Sequence, residues 1–318
     1  MYLNKIVYFE IEQNITIMKQ ENFRSFVNRK RLVKSMHIVK NQISDLIQKR
    51  VSVRTYNNQP MKRLDIERLN KFIEKSKGPF QPKVRLKILY LNEDINGAKL
   101  GTYGVIKGTK SYIGATVEEG DMDLEQLGYE MESLILYATS LGVGTCFIAG
   151  TFNKNEFEKA MYLNEHEIFP IICPIGYPAK KKSITEILSR LCSKVAARKE
   201  WNEIFYLEDF ECPIKEKIFS GEFKMVLENL RLAPSAVNNQ PWRVIKEGDD
   251  FHFYKVDGKN TYKVNEIDLN RIDIGIALCH FDLSCKELGI SGAFRKKDPG
   301  IDNSEEELKY IITWTKYN

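Results

Sequence analysis

The sequence predicts an α+β fold built from two similar halves in one chain, and three observations carry that prediction. First, DLEQLGYEMESLILYATSLG (residues 123–142) and RIDIGIALCHFDLSCKELGI (residues 271–290) superimpose at one constant offset. That offset sets Leu127 on Ile274, Gly128 on Gly275, Met131 on Leu278, Leu134 on Phe281 and Gly142 on Gly289, the mark of a diverged internal duplication. Second, with those segments as anchor, RVSVRTY (50–56) falls opposite KEWNEIF (199–205), and QPKVRLKIL (81–89) opposite QPWRVIKEG (240–248). Each half then reads helix, short extended segment, helix, strand, long helix, strand. Third, 43% hydrophobic and 29% charged residues over 318 positions describe a soluble globular chain with ample material for a core, so disorder does not dominate.

The elements follow in chain order. Residues 1–43 precede both halves. Their apolar stretch MYLNKIVYFEIEQNITIMKQ is broken by Glu10 and Glu12 and has no small-residue cleavage site after it, so no signal peptide is expected. The basic run RKRLVK reads as a solvated helix face. The first half spans 44–186 and the second 190–318, with the basic, polar stretch AKKKSITEILSR at the junction. Within 123–142, Leu124, Leu127, Met131, Leu134, Ile135, Ala138 and Leu141 recur in steps of three and four, one buried helix face that stops at Gly142.

Charge and cysteine content narrow the function classes. Lys and Arg total 48 against 43 Asp and Glu, a net +5, which favours anionic ligands slightly and argues for neither nucleic acid nor a membrane surface. No apolar run reaches the ~18 residues that span a bilayer. A cytoplasmic location is expected, with the six cysteines as free thiols. CHFDLSC (279–285) invites a metal, but both cysteines belong to the helix pattern, and no metal site is expected.

The chemistry-bearing residues fall in complementary places. In KRVSVRTY, a period of two puts Arg50, Ser52 and Arg54 on one side of an extended segment. Two guanidinium groups flanking a hydroxyl suit a phosphate, although an exposed edge with surface ion pairs fits the same residues. The second half has Trp201 opposite Ser52 and Glu203 opposite Arg54, and a carboxylate there would repel an anion. LAPSAVNNQPW (232–242) shows the reverse asymmetry. Pro234 disfavours helix at Ala233, Ser235 and Asn238 offer polar groups in a turn, and Pro241 leads into a strand at Trp242. Its counterpart EKSKGPFQP keeps only the Gln-Pro pair.

RVSVRTY, GVGTCFIAG (142–150), PIGYP (174–178) and APSAVNNQPW together resemble the FMN-dependent nitroreductase family over residues 44–318, in its fused, pseudo-dimeric form. The order departs from ordinary members, in which the Ala-Pro-Ser turn soon follows the Arg-Ser-Arg segment in a shorter chain. The resemblance implies a mostly antiparallel sheet flanked by helices in each half, with the long helices as the contact between halves and a monomer as a plausible state. It implies FMN, with Arg50, Ser52 and Arg54 on the phosphate. Ile148, Ala149 and Gly150 would lie along the ring, and Pro234, Ser235, Ala236 and Asn238 would reach it from the other half. Lys180 and Lys182, after the Gly-Tyr-Pro, become candidates for neutralising the flavin. In the second copy Arg295, Lys296 and Lys297 replace the ring-side tripeptide.

No nucleophile with its base is legible, as expected where the cofactor carries the chemistry. The implied activity passes electrons from NAD(P)H through FMN to a nitroaromatic, quinone or similar electron-poor acceptor. The alternatives are a flavin-binding or storage protein without turnover and, last, a nucleic-acid binder using the basic N-terminal run.

Overall fold

The computed structural model describes residues 43–90, 101–180, 197–258, 261–264, 266–301 and 307–317. Residues 1–42 of the N-terminal extension, most of the junction and Lys182 lie outside the described residues. In the first half, α1 (Ile43–Lys49) and α2 (Arg63–Lys75) lead into β1 (Val84–Tyr90) and β2 (Ser111–Glu118). Then come the long helix α3 (Asp123–Ser140), β3 (Gly144–Thr145), α4 (Lys154–Met161) and β4 (Glu167–Gly176). The strands form one sheet in the order β1-β2-β4-β3, antiparallel throughout.

The second half repeats the plan. After β5 (Phe205–Leu207) come α5 (Phe223–Arg231), β6 (Trp242–Glu247), β7 (Asp250–Val256) and the small pair β8 (Lys263–Val264) and β9 (Ile267–Asp268). The long helix α6 (Leu269–Glu287), β10 (Gly292–Arg295) and β11 (Leu308–Lys316) complete it. The five-stranded sheet runs β10-β11-β7-β6-β5, antiparallel except where β5 lies parallel to β6. Both halves therefore hold a hairpin, β1-β2 and β6-β7, where the sequence pattern predicts one strand before the long helix. The added strands β2 and β7 are buried over nearly their whole length, so they lack the polar-apolar alternation that marks a half-exposed strand.

The long helices form the centre. Apart from Tyr137, Thr139 and Ser140, all of α3 is buried, because it packs against its own sheet on one side and α6 on the other. The two helices touch backbone to backbone: a Cβ on Gly128 would overlap the carbonyl oxygen of Ile272, and one on Gly275 would overlap that of Glu125. Polar pairs fix their register. Arg271 bonds Asp123 at 2.7 Å and Glu125 at 2.6 Å, Tyr129 donates to Asp282, and Glu132 meets His280 Nε2 at 2.9 Å. Because both sheets close on this shared helix pair, residues 42–318 make one compact unit. Among the described residues no helix is long and apolar enough to cross a membrane.

Candidate functional site

A cavity of about 330 Å³ lies between the halves. The first half supplies Ser52 and Arg54 and the run Phe147–Thr151. The second supplies the run Pro234–Val237 and a face of α6.

The phosphate-type segment is held by its neighbours. Val53 N–H donates to Thr145 O at 2.8 Å, and Lys107 N–H donates to Arg54 O at 3.0 Å. The backbone is thus clamped on both sides, and Val53 is buried in the core while Ser52 and Arg54 turn to the cavity. The period of two fails one residue earlier. Arg50 N–H still donates to Leu46 O, so Arg50 closes α1 and does not belong to the extended run, and Val51 is exposed. The Arg50 side chain sits outside the cavity lining, with Nε 3.7 Å from the buried Glu132 and without a hydrogen-bond partner. No carboxylate among the described residues lies within ion-pairing distance of Arg54.

Ile148 exchanges both backbone hydrogen bonds with Ile172 of β4 at 2.9 Å, which holds Ile148, Ala149 and Gly150 at the cavity wall. A Cβ on Gly150 would meet nothing closer than Val264 at 3.6 Å. The protein itself therefore does not require glycine there.

The turn from the second half is pinned from several sides. Arg198 donates to Leu232 O and Ala233 O, both at 2.9 Å, satisfying carbonyls left open at the end of α5. It also donates to Asn238 Oδ1 at 3.0 Å, while Asn238 Nδ2 donates to Ala197 O. Burial, with Arg50 and Arg231 nearby, lowers the Arg198 guanidinium to about 10. Gln240 N–H closes the turn on Ser235 Oγ at 2.9 Å, and the Gln240 side chain accepts from Lys199 N–H at 2.8 Å. Val237 takes φ 47°, Asn238 60° and Gln240 49°. For a β-branched residue such as Val237 this is strained backbone, a state that surrounding contacts must enforce.

Of the residues proposed from sequence, Ser52, Arg54, Ile148, Ala149, Gly150, Pro234, Ser235 and Ala236 line one cavity. Arg50 and Asn238 are not lining residues of it, and Lys180, also outside the lining, is exposed. Sequence reasoning missed Asp273, which lines the cavity from α6, and Arg198, which holds the turn. The available signal for Asp273 was an acid set between Ile272 and Ile274 on a helix otherwise read as core. Arg198 sits in the charged stretch AARKEW and carried none.

At the pseudo-symmetric location, residues 79–82 and 294–296 line a separate hollow. There Phe80 and Phe294 bring their rings to 5.5 Å, and Lys296 Nζ is occupied by Ile311 O at 3.0 Å. Glu203, opposite Arg54, accepts from Glu200 N–H, and Trp201, opposite Ser52, is buried against Phe205. The groups equivalent to the cavity-lining ones thus serve local structure.

Similarity to known proteins extends over most of the chain. The family model described as "Putative TM nitroreductase" matches residues 42–285. A crystal structure of a protein named a putative nitroreductase, from Thermotoga maritima, is 22% identical with a TM-score of 0.54, covering 87% of this chain and 94% of that one. A nitroreductase family protein from Clostridium difficile 630 is 18% identical with a TM-score of 0.37, over 49% of this chain and 97% of that one. An FMN-dependent nitroreductase from Clostridium difficile R20291 is 16% identical with a TM-score of 0.34, over 43% and 88%. No curated protein matches. With a family model spanning well over half the residues, and a fold of two sheets closed on one helix pair behind it, the chain belongs to the nitroreductase family.

Proposed function

We propose that this chain is an FMN-dependent oxidoreductase that takes electrons from NAD(P)H and passes them to a nitroaromatic, quinone or similar electron-poor small molecule. The observation that carries the reading is the meeting of Ser52, Arg54 and Ile148–Gly150 from one half with Pro234–Ala236 from the other around one cavity. Its volume lies within the roughly 300–1,000 Å³ of ligand sites.

The residues present fit the flavin. Among the described residues Arg54 has no carboxylate within ion-pairing distance, and Ser52 lines the cavity beside it. Arg50 lies outside the lining with its Nε buried 3.7 Å from Glu132, so it would contribute to phosphate binding through the charge of its guanidinium and not through that Nε. Aliphatic side chains from both halves suit a flat ring, and Gly150 leaves space where a side chain would stand. Lys180 follows Ala179, whose N–H donates to Thr55 O at 3.0 Å, so it would reach the phosphate end from solvent, and Lys182 keeps its proposed role there. Asn238 would serve by holding the turn. Bound FMN supplies the electron transfer, and the protein supplies position, charge and exclusion of water.

A freshly purified sample should show a flavin absorbance spectrum that bleaches promptly when NADH or NADPH is added without oxygen. A flavin that stays oxidised with both nucleotides would sink the enzyme reading and leave a flavin store. Gly150→Ala gives a finer test. It should change folding stability by less than about 0.5 kcal/mol, because Val264 is at ordinary contact distance, yet weaken FMN binding by about 10-fold through crowding of the ring. Thermal melting of the apoprotein and flavin fluorescence titration measure the two quantities.

A further inference from the structure

One wall of the cavity is a single face of α6: Leu269, Ile272, Asp273 and Ile276 line it at the spacing of adjacent helix turns. Three of these are aliphatic and the fourth is a carboxyl only 4% exposed. Both of its oxygens lie 3.1 Å from one donor, the backbone N–H of Ala236 in the pinned turn. Among the described residues no Lys or Arg lies within ion-pairing distance of it. An ionised carboxylate in such a place loses its hydration for one shared N–H, so the neutral acid is favoured.

Burial pushes Asp273 well above the usual carboxylate range. The Ala236 N–H opposes the shift, and Asp268 on the preceding strand reinforces it. The surrounding charges do not reverse this. Asp268 is itself held by Lys255 at 2.6 Å, Arg271 is committed to Asp123 and Glu125, and Arg54 lines the cavity from the other half. Tyr262 is the remaining titratable group on the lining. The Ala236 N–H uses acceptor capacity only, which leaves a neutral carboxyl with one O–H to give.

We propose that Asp273 is the polar recognition point of this cavity, its O–H donating a hydrogen bond to an sp2 oxygen of the molecule bound against α6. The proposal rests on the flavin-site reading. The oxygen belongs either to a carbonyl of the flavin ring or to the nitro or quinone oxygen of the acceptor, and two titrations separate these sources. Apoprotein is titrated with FMN, and oxidised FMN-loaded protein with menadione in the absence of reductant, each upward from pH 7.5, where the FMN phosphate is already fully ionised.

In the unaltered chain, one affinity should fall about 10-fold as pH rises through the ionisation of Asp273 and the donor is lost. Asp273→Asn cannot ionise, and it keeps both an acceptor for Ala236 and a donor toward the ligand. Its affinity should stay level across that range. Asp273→Leu should be about 10-fold weaker at the start of that range, without the pH step. A step in the FMN titration assigns the oxygen to the ring, and one in the menadione titration assigns it to the acceptor. Identical affinities and pH profiles in the unaltered and Asp273→Asn proteins overturn the proposal, and that comparison stands even if the leucine variant does not fold. An unaltered chain that takes up no FMN overturns the flavin-site reading and this inference together, whereas uptake with indifferent variants overturns this inference alone.

Discussion

Replacing Arg54 by Glu should weaken FMN binding by on the order of 1,000-fold while leaving the fold intact. The lost charge-assisted hydrogen bond accounts for about 1.5–3 kcal/mol. The carboxylate then faces a phosphate, adding repulsion of a few kcal/mol at a partly buried site. About 4 kcal/mol in total corresponds to that factor. The structural contribution of residue 54 runs through its backbone, whose carbonyl accepts from Lys107 N–H, and the guanidinium holds no carboxylate of the described chain. Arg54→Gln separates the two effects: it removes the cation without adding repulsion and should cost about 10- to 100-fold. Flavin fluorescence titration reads the affinities, and melting of the apoproteins should agree to within about 0.5 kcal/mol. A charge-reversed protein that keeps its flavin would remove the phosphate from this end of the cavity.

The largest loss of stability is expected from Gly275→Ala. Helix propensity alone would favour alanine by about 1 kcal/mol. Here the added carbon would overlap the carbonyl oxygen of Glu125 and stand 2.8 Å from its carbon. Both atoms are backbone in the facing helix, so no side-chain rotation relieves the clash, and the helices must separate. A net loss of about 3 kcal/mol follows, at the upper end of overpacking penalties. It should be visible as a lower urea midpoint with little change in slope. Because α6 also carries a wall of the cavity, flavin retention should fall with it. A variant as stable as the parent would show that the close crossing does not hold the halves together.

The fold was legible where the pattern was periodic. The faces of α3 and α6 stood out from their steps of three and four, and the duplication followed from matching them, Gly128 on Gly275 included. The hairpin partners β2 and β7 were missed because a strand buried on both faces gives a run such as SYIGATV with no alternation. At the site, Ser52 and Arg54 followed from a period of two, but that period could not reveal that α1 still claims Arg50. The turn at Pro234–Ala236 was marked by its prolines and polar residues, whereas what holds it, Arg198 from far along the chain, depends on tertiary contact that no local spacing encodes. Asp273 was hidden for the opposite reason: its neighbours made the helix look like ordinary core.

Placing both walls of the cavity on one polypeptide also changes how the site responds to dilution. A pocket shared by separate subunits empties as they part, at a concentration set by their dissociation constant. Here each wall meets the other at the fixed, high effective concentration that a covalent tether imposes, so prosthetic-group occupancy should track free flavin and be indifferent to how much protein is in the tube.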